Sequence, residues 1–98
     1  MQFTVPTDHP CLPGHFPGDP LVPGVVILDR VVEAAAMRSA SGTAAIGWEW
    51  PQVKFLQPLR PGQVARVVLQ ERAGAGWRFE VWRDESLLAR GELRAVVP

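Results

Sequence analysis

The chain reads as α+β: one helix with an antiparallel sheet wrapped on it. A stretch crowded with prolines gives way abruptly to a long apolar run, Val25 to Met37, of the length and composition of a helix. Three later segments alternate apolar and polar residues with the two-residue period of a half-buried strand. Gly, Pro and Asp mark the turns between them.

Gln2 to Val5 is read as a short first strand, and Asp8 to Pro23 as loop, because it is broken by five prolines. Each proline fixes φ and disfavours helix in the residue before it. The helix is expected from about Gly24 to Met37 or Arg38. Being apolar on nearly every side, it is expected to be enclosed by other structure. Asp29 interrupts that run, and a carboxylate in such surroundings has to be paired, hydrogen-bonded or functional. Ser39 to Thr43 ends the helix.

Ala45 to Trp50 and Gln52 to Leu56 carry aromatic and β-branched residues suited to strands, and Leu59 to Gly62 is a turn. In Val64 to Arg72 the residues Ala65, Val67 and Leu69 alternate with Arg66 and Gln70. In Trp77 to Arg83 the residues Trp77, Phe79 and Val81 alternate with Arg78 and Glu80. Gly74 and Gly76 supply the hairpin between these two. After a turn at Asp84 and Glu85, Ser86 to Val97 sets Leu87, Ala89, Gly91, Leu93 and Ala95 against Arg90, Glu92 and Arg94.

The 98 residues allow one domain, 1–98, whose core is marginal when alone, so a partner subunit is expected. Ten basic and ten acidic side chains balance, which removes the basic excess that a nucleic-acid binder normally carries. The single cysteine, Cys11, rules out an intrachain disulfide, and no cluster has metal-ligand spacing. A reducing cytoplasm fits this composition best. Neither a transmembrane-length apolar run nor a secretory leader is present in the residues, so no membrane insertion is expected.

The stretch HFPGDPLVPGVVILD, from His15 to Asp29, brings an imidazole, a carboxylate and a helix N-terminus together within fifteen residues. Those are the parts of an acid/base site. Taken alone, His15 is better read as a structural histidine before a proline-rich turn. Asp29 alone could be a helix acid paired with Arg30 or another arginine. His9 belongs to the loop, and Asp19 suits a turn-capping role. Trp48, Trp50, Trp77 and Trp82 suit a core or a subunit interface better than a substrate tunnel. Lys54, Arg60, Arg66, Arg72, Arg78, Arg90 and Arg94 could form a basic rim for an acidic carrier protein, although alternating arginines on a sheet are more often simply solvated.

The pattern HFPG, one residue, Pro, two residues, then Pro23-Gly24 and an acid fourteen positions after His15, resembles the 3-hydroxyacyl-(acyl carrier protein) dehydratases. These are hot-dog proteins of the FabA and FabZ kind. Val53-Lys54-Phe55 followed by Pro58, Pro61 and Gly62 is similar to the strand and turn that follow their central helix. The two motifs come in the family's order and cover roughly residues 15 to 63.

The resemblance implies a hot-dog fold and loss of water from a 3-hydroxyacyl thioester, giving the trans-2-enoyl thioester. By the same resemblance His15 takes the C2 proton; a neutral imidazole, with an ordinary pKa of about 6.5, suits that task near neutral pH. Asp29 is then the acid that protonates the leaving C3 hydroxyl. The backbone N–H of Gly24 stabilises the charge that grows on the thioester oxygen, and the missing side chain lets substrate approach closely. Phe16, Pro23, Val25, Glu33 and Phe55 are candidate substrate-binding residues. Acyl carrier protein is the implied partner, in a homodimer whose active sites are shared between subunits, and no cofactor or metal is implied.

Two departures stand out. Many family members carry Gln one turn after the acid, where this chain has Glu33, a second negative charge beside Asp29. The chain is also short for the family, which is similar to small dehydratase-like proteins of aryl-polyene and related pigment pathways. A hot-dog acyl thioesterase, and a non-catalytic hot-dog subunit that binds acyl chains or carrier protein, are the other functions open to such a chain.

Overall fold

The computed structural model describes residues 1–6, 21–38, 47–74 and 76–96. They form β1 (Gln2–Thr4), α1 (Gly24–Arg38), β2 (Gly47–Phe55), β3 (Val64–Arg72), β4 (Gly76–Arg83) and β5 (Ser86–Val96). The sheet has the order β1-β3-β4-β5-β2, with every neighbouring pair antiparallel. This is the α+β hot-dog architecture, one helix laid on the inner face of a five-stranded sheet.

The alternation read in β3 and β4 is the alternation observed. Ala65, Val67, Trp77, Phe79 and Val81 are buried, while Arg66, Gln70 and Arg78 are exposed. Together with Val26, Ile27, Val31, Ala34 and Ala35 of the helix they make one core. Trp77 belongs to it, and the Arg38 guanidinium at the helix end sits 5.7 Å from its ring centre. Arg38 also donates to the Leu69 carbonyl, 3.2 Å away, so the last helical turn is tied to β3.

In β5 the expected inward row is broken. Val81 faces Ala89, but Trp82 faces Leu87, so β5 carries one extra residue there, Leu88. This is a β-bulge, which re-aims side chains by one position. Leu88 and Ala89 are accordingly both fully buried, and Leu87 is only half-buried. Alternation alone assigned Leu87 to the core and overlooked Leu88.

The two strand-like stretches expected before the turn are one strand, β2, with a register irregularity between Glu49 and Gln52. Pro51 lies within it and lacks an N–H, which an edge strand tolerates at a bulge. At Gly91, opposite β2, an added Cβ would collide with the Gln52 carbonyl and come within 2.9 Å of both Val53 Cα and Phe79 Cε1. Only glycine lets the two strands and the Phe79 ring close together there.

Two of the three expected turns lie wholly within the described residues and formed as their sequences suggest. Arg60-Pro61-Gly62-Gln63 closes with a Gln63 N–H to Arg60 carbonyl bond of 3.2 Å and a Gly62 φ of 85°, the signature of a type II turn. Asp84 adopts φ 53° in the two-residue β4–β5 connection, a conformation that Asp accepts more readily than most residues. Among the described residues, no helix is long and apolar enough to cross a membrane.

The helix is not enclosed. Its inward stripe is buried, but Val25 is 62% exposed and Met37 79%, and Asp29 and Glu33 are exposed between them. A single five-stranded sheet covers one side of a helix, and a chain of this size has no second layer for the other.

Candidate active site at the helix N-terminus

Pro23 is half-buried just ahead of α1, where its fixed φ suits helix entry. Its carbonyl accepts from the amides of Val26 and Ile27, at 3.0 and 3.4 Å. The amides of Gly24 and Val25 have no acceptor among the described residues. Two donors without an acceptor among the described residues, at the positive end of a helix dipole, suit an oxygen that gains negative charge.

Gly24 stands at the edge of a cleft of about 410 Å³, lined mainly by apolar residues including Leu21, Ile27, Phe55, Leu56 and Leu59. Its walls are held by main-chain bonds. Val22 N–H donates to the Leu59 carbonyl at 2.8 Å, and the amides of Leu56 and Gln57 both donate to the carbonyl of Leu88, at 2.8 and 3.2 Å. Arg83 Nη1 donates to the Pro58 carbonyl at 2.8 Å, holding the segment between β2 and β3 from the far end of β4. The bulge at Leu88 and the Arg83 anchor are parts of this site that sequence reading missed, since neither carries a motif or a periodic signal.

Phe55 crowds Gly24. A Cβ on Gly24 would lie 2.7 Å from Phe55 Cζ, so the space left by the missing side chain is filled by that ring, not standing open for substrate as expected. The structure thus brings Pro23, Gly24 and Phe55 together. Val25, Asp29 and Glu33 follow at four-residue intervals on the solvent face of the helix, outside the cleft lining. Glu33 accepts from Arg30, which leaves Asp29 without a partner among the described residues. His15 and Phe16, like His9, Cys11 and Asp19, lie outside the described residues.

Of the basic residues singled out in the sequence, three face acids and Lys54 faces Arg90. Arg78 faces Glu92 and Arg90 faces Glu80 across neighbouring strands, and Arg94 faces Glu49. Around Arg78, Arg90 and Arg94 the outer face of the sheet therefore carries both signs of charge. Among the described residues no group of three His, Cys, Asp or Glu side chains could hold a metal.

Comparison with known proteins assigns the chain to a family of dehydratases. The profile of ApeI-like proteins, described as ApeI dehydratase, matches residues 1–92. The chain belongs to the ApeI-like dehydratase family. It is related to the 3-hydroxyacyl-[acyl-carrier-protein] dehydratases FabZ, of which that of Chlamydia trachomatis serovar L2 is 30% identical over 98% of this chain and 70% of its own length. FabZ of Moorella thermoacetica is 33% identical over 82% of this chain and 62% of its own length. Among solved structures, the dehydratase heterocomplex ApeI:P from Xenorhabdus doucetiae superposes with a TM-score of 0.76 at 27% identity, covering 97% of this chain and 83% of that one. The fluoroacetyl-CoA-specific thioesterase FlK shares the fold, with a TM-score of 0.65 at 19% identity over 97% of this chain and 85% of its own. This chain is therefore a FabZ-like hot-dog dehydratase.

Proposed function

We propose that this dehydratase removes water from a 3-hydroxyacyl thioester carried on acyl carrier protein, giving the trans-2-enoyl thioester. His15 takes the C2 proton, electron density moves onto the thioester oxygen held by the Gly24 amide, and Asp29 gives its proton to the departing C3 hydroxyl. The C2–C3 double bond forms as water leaves. The observation that carries this reading is the helix start itself, where the Gly24 amide, without an acceptor among the described residues, lies at an apolar cleft in a chain of dehydratase family. A growing oxyanion is stabilised there by donors already in place.

The exposed stripe Val25, Asp29, Glu33 and Met37 and the free edge of β2 leave this site open in a single chain. A homodimer in which the sheets join edge to edge, and in which His15 of one subunit faces Asp29 of the other, completes it. Acyl groups of polyketide, aryl-polyene or fatty-acid synthesis, delivered in the cytoplasm, are the substrates this assembly would take. A second assembly is favoured by one observation: the similar ApeI structure is a heterocomplex, so a different hot-dog chain could occupy the partner's place.

Mass spectrometry of products from a panel of 3-hydroxyacyl carrier-protein substrates tests the reaction. Loss of 18 mass units with the thioester intact is expected. Release of free acid instead would establish a thioesterase, and no turnover by the chain alone, restored by a second hot-dog chain, would establish the mixed assembly.

A further inference from the structure

Much of the backbone around the cleft at the helix start is held by hydrogen bonds. The backbone at Val22, Leu56 and Gln57 is fixed to Leu59 and Leu88, and the Pro58 carbonyl to Arg83. Phe55 ends the edge strand β2, where it pairs with Ala89 on one side only. Phe55 is 48% exposed, and its ring lies against Gly24. An aromatic ring makes no hydrogen bond that its rotation would break, so this half-exposed ring can turn without disturbing the backbone.

The ring rests against Gly24, the first residue of the helix. A Cβ at Gly24 would meet Cζ, Cε2 and Cε1 of Phe55 at 2.7, 3.1 and 3.2 Å, so nothing as large as a methyl group fits between them. We propose that Phe55 is the specificity-determining residue of this cleft: its ring covers the helix start, turns aside for the thioester, and by its bulk limits the size of acyl group that is admitted. This rests on the dehydratase reading. Leu21 and Leu56, 41% and 42% exposed on the same cleft, supply the apolar surface against which both the ring and an acyl chain pack.

The coupling of Gly24 to Phe55 makes the proposal testable in two ways. In the first, Phe55→Ala and Phe55→Leu are compared with wild type for kcat and KM on a short straight 3-hydroxyacyl thioester and on one bearing a ring beyond C3. Phe55→Ala should shift the ratio of kcat/KM toward the bulky substrate by about 10-fold or more, the scale on which a hydrophobic pocket discriminates size. In the second, Gly24→Ala should lose activity on both substrates, and adding Phe55→Ala should restore at least about 10-fold of that loss, because the added methyl then has room. Circular dichroism and melting temperature identify any variant that fails to fold, in which case Phe55→Leu carries the comparison.

An equal change on both substrates, or no rescue of Gly24→Ala by the second substitution, would overturn the role of Phe55. Should the wild-type chain dehydrate neither substrate, the dehydratase reading fails instead. The ring is then judged by Kd for short and ring-bearing saturated acyl-pantetheine thioesters: selective gain for the bulky probe in Phe55→Ala supports it, and no change in the ratio overturns it.

Discussion

Nη1 of Arg30 donates to both carboxylate oxygens of Glu33, one turn along the helix, at 2.8 and 3.0 Å. The pair is half-exposed, with side-chain accessibilities of 30% and 50%. It therefore ties Glu33 to Arg30 and leaves Asp29, the proposed acid, as the carboxylate on that face with no partner among the described residues. The departure from the family's Gln is answered within the helix itself.

Glu33→Gln should accordingly be tolerated. An exposed i,i+3 pair contributes about 0–1 kcal/mol, so the melting curve should hardly move and dehydration should stay near wild type. A large loss of activity in a folded Glu33→Gln protein would show that Glu33 itself takes part in the reaction.

His15→Ala and Asp29→Asn should each lower dehydration by about 10²–10⁴, the range for losing a positioned acid or base. Asp29 is exposed in the single chain, so removing its charge should leave circular dichroism and stability unchanged. Near-normal turnover in either folded variant would remove that residue from the mechanism.

Two inactive proteins should make an active one. If each site takes His15 from one subunit and Asp29 from the other, a mixed dimer of the two variants has one site with both lesions and one with neither. Random exchange makes half the dimers mixed, so activity should recover to roughly a quarter of wild type. Exchange verified by mass spectrometry without recovery would place both groups in one chain. Sedimentation at micromolar concentration should independently show a dimer of the wild type.

Gly91→Ala should destabilise the fold by at least about 2 kcal/mol in chemical denaturation, because the new methyl meets backbone of β2 as well as the Phe79 ring. Phe79 is itself held edge-on by Trp50, ring centres 5.7 Å apart at 88°, and has little room to yield. A neutral effect would mean that β2 can shift on β5, and that the edge strand is less firmly held than its register indicates.

The residues by themselves determined what depends on neighbours along the chain. Pro23 and Gly24 mark the helix start and Arg38 its end, the alternation of β3 and β4 separates core from surface, and Pro61-Gly62 and Asp84 set their turns, because each is a matter of local dihedral preference or a period of a few residues. The motif from His15 to Asp29 likewise pointed to the family without any knowledge of contacts. Tertiary structure alone decided the pairing of β2 with β5, the bulge that buries Leu88, the Arg83 anchor on Pro58 and the ring of Phe55 on Gly24. It also decided that Val25, Asp29 and Met37 face solvent, which composition had suggested they would not. These relations join residues that are far apart in the chain or depend on how much of a helix one sheet can cover, and a local pattern records neither distance nor area.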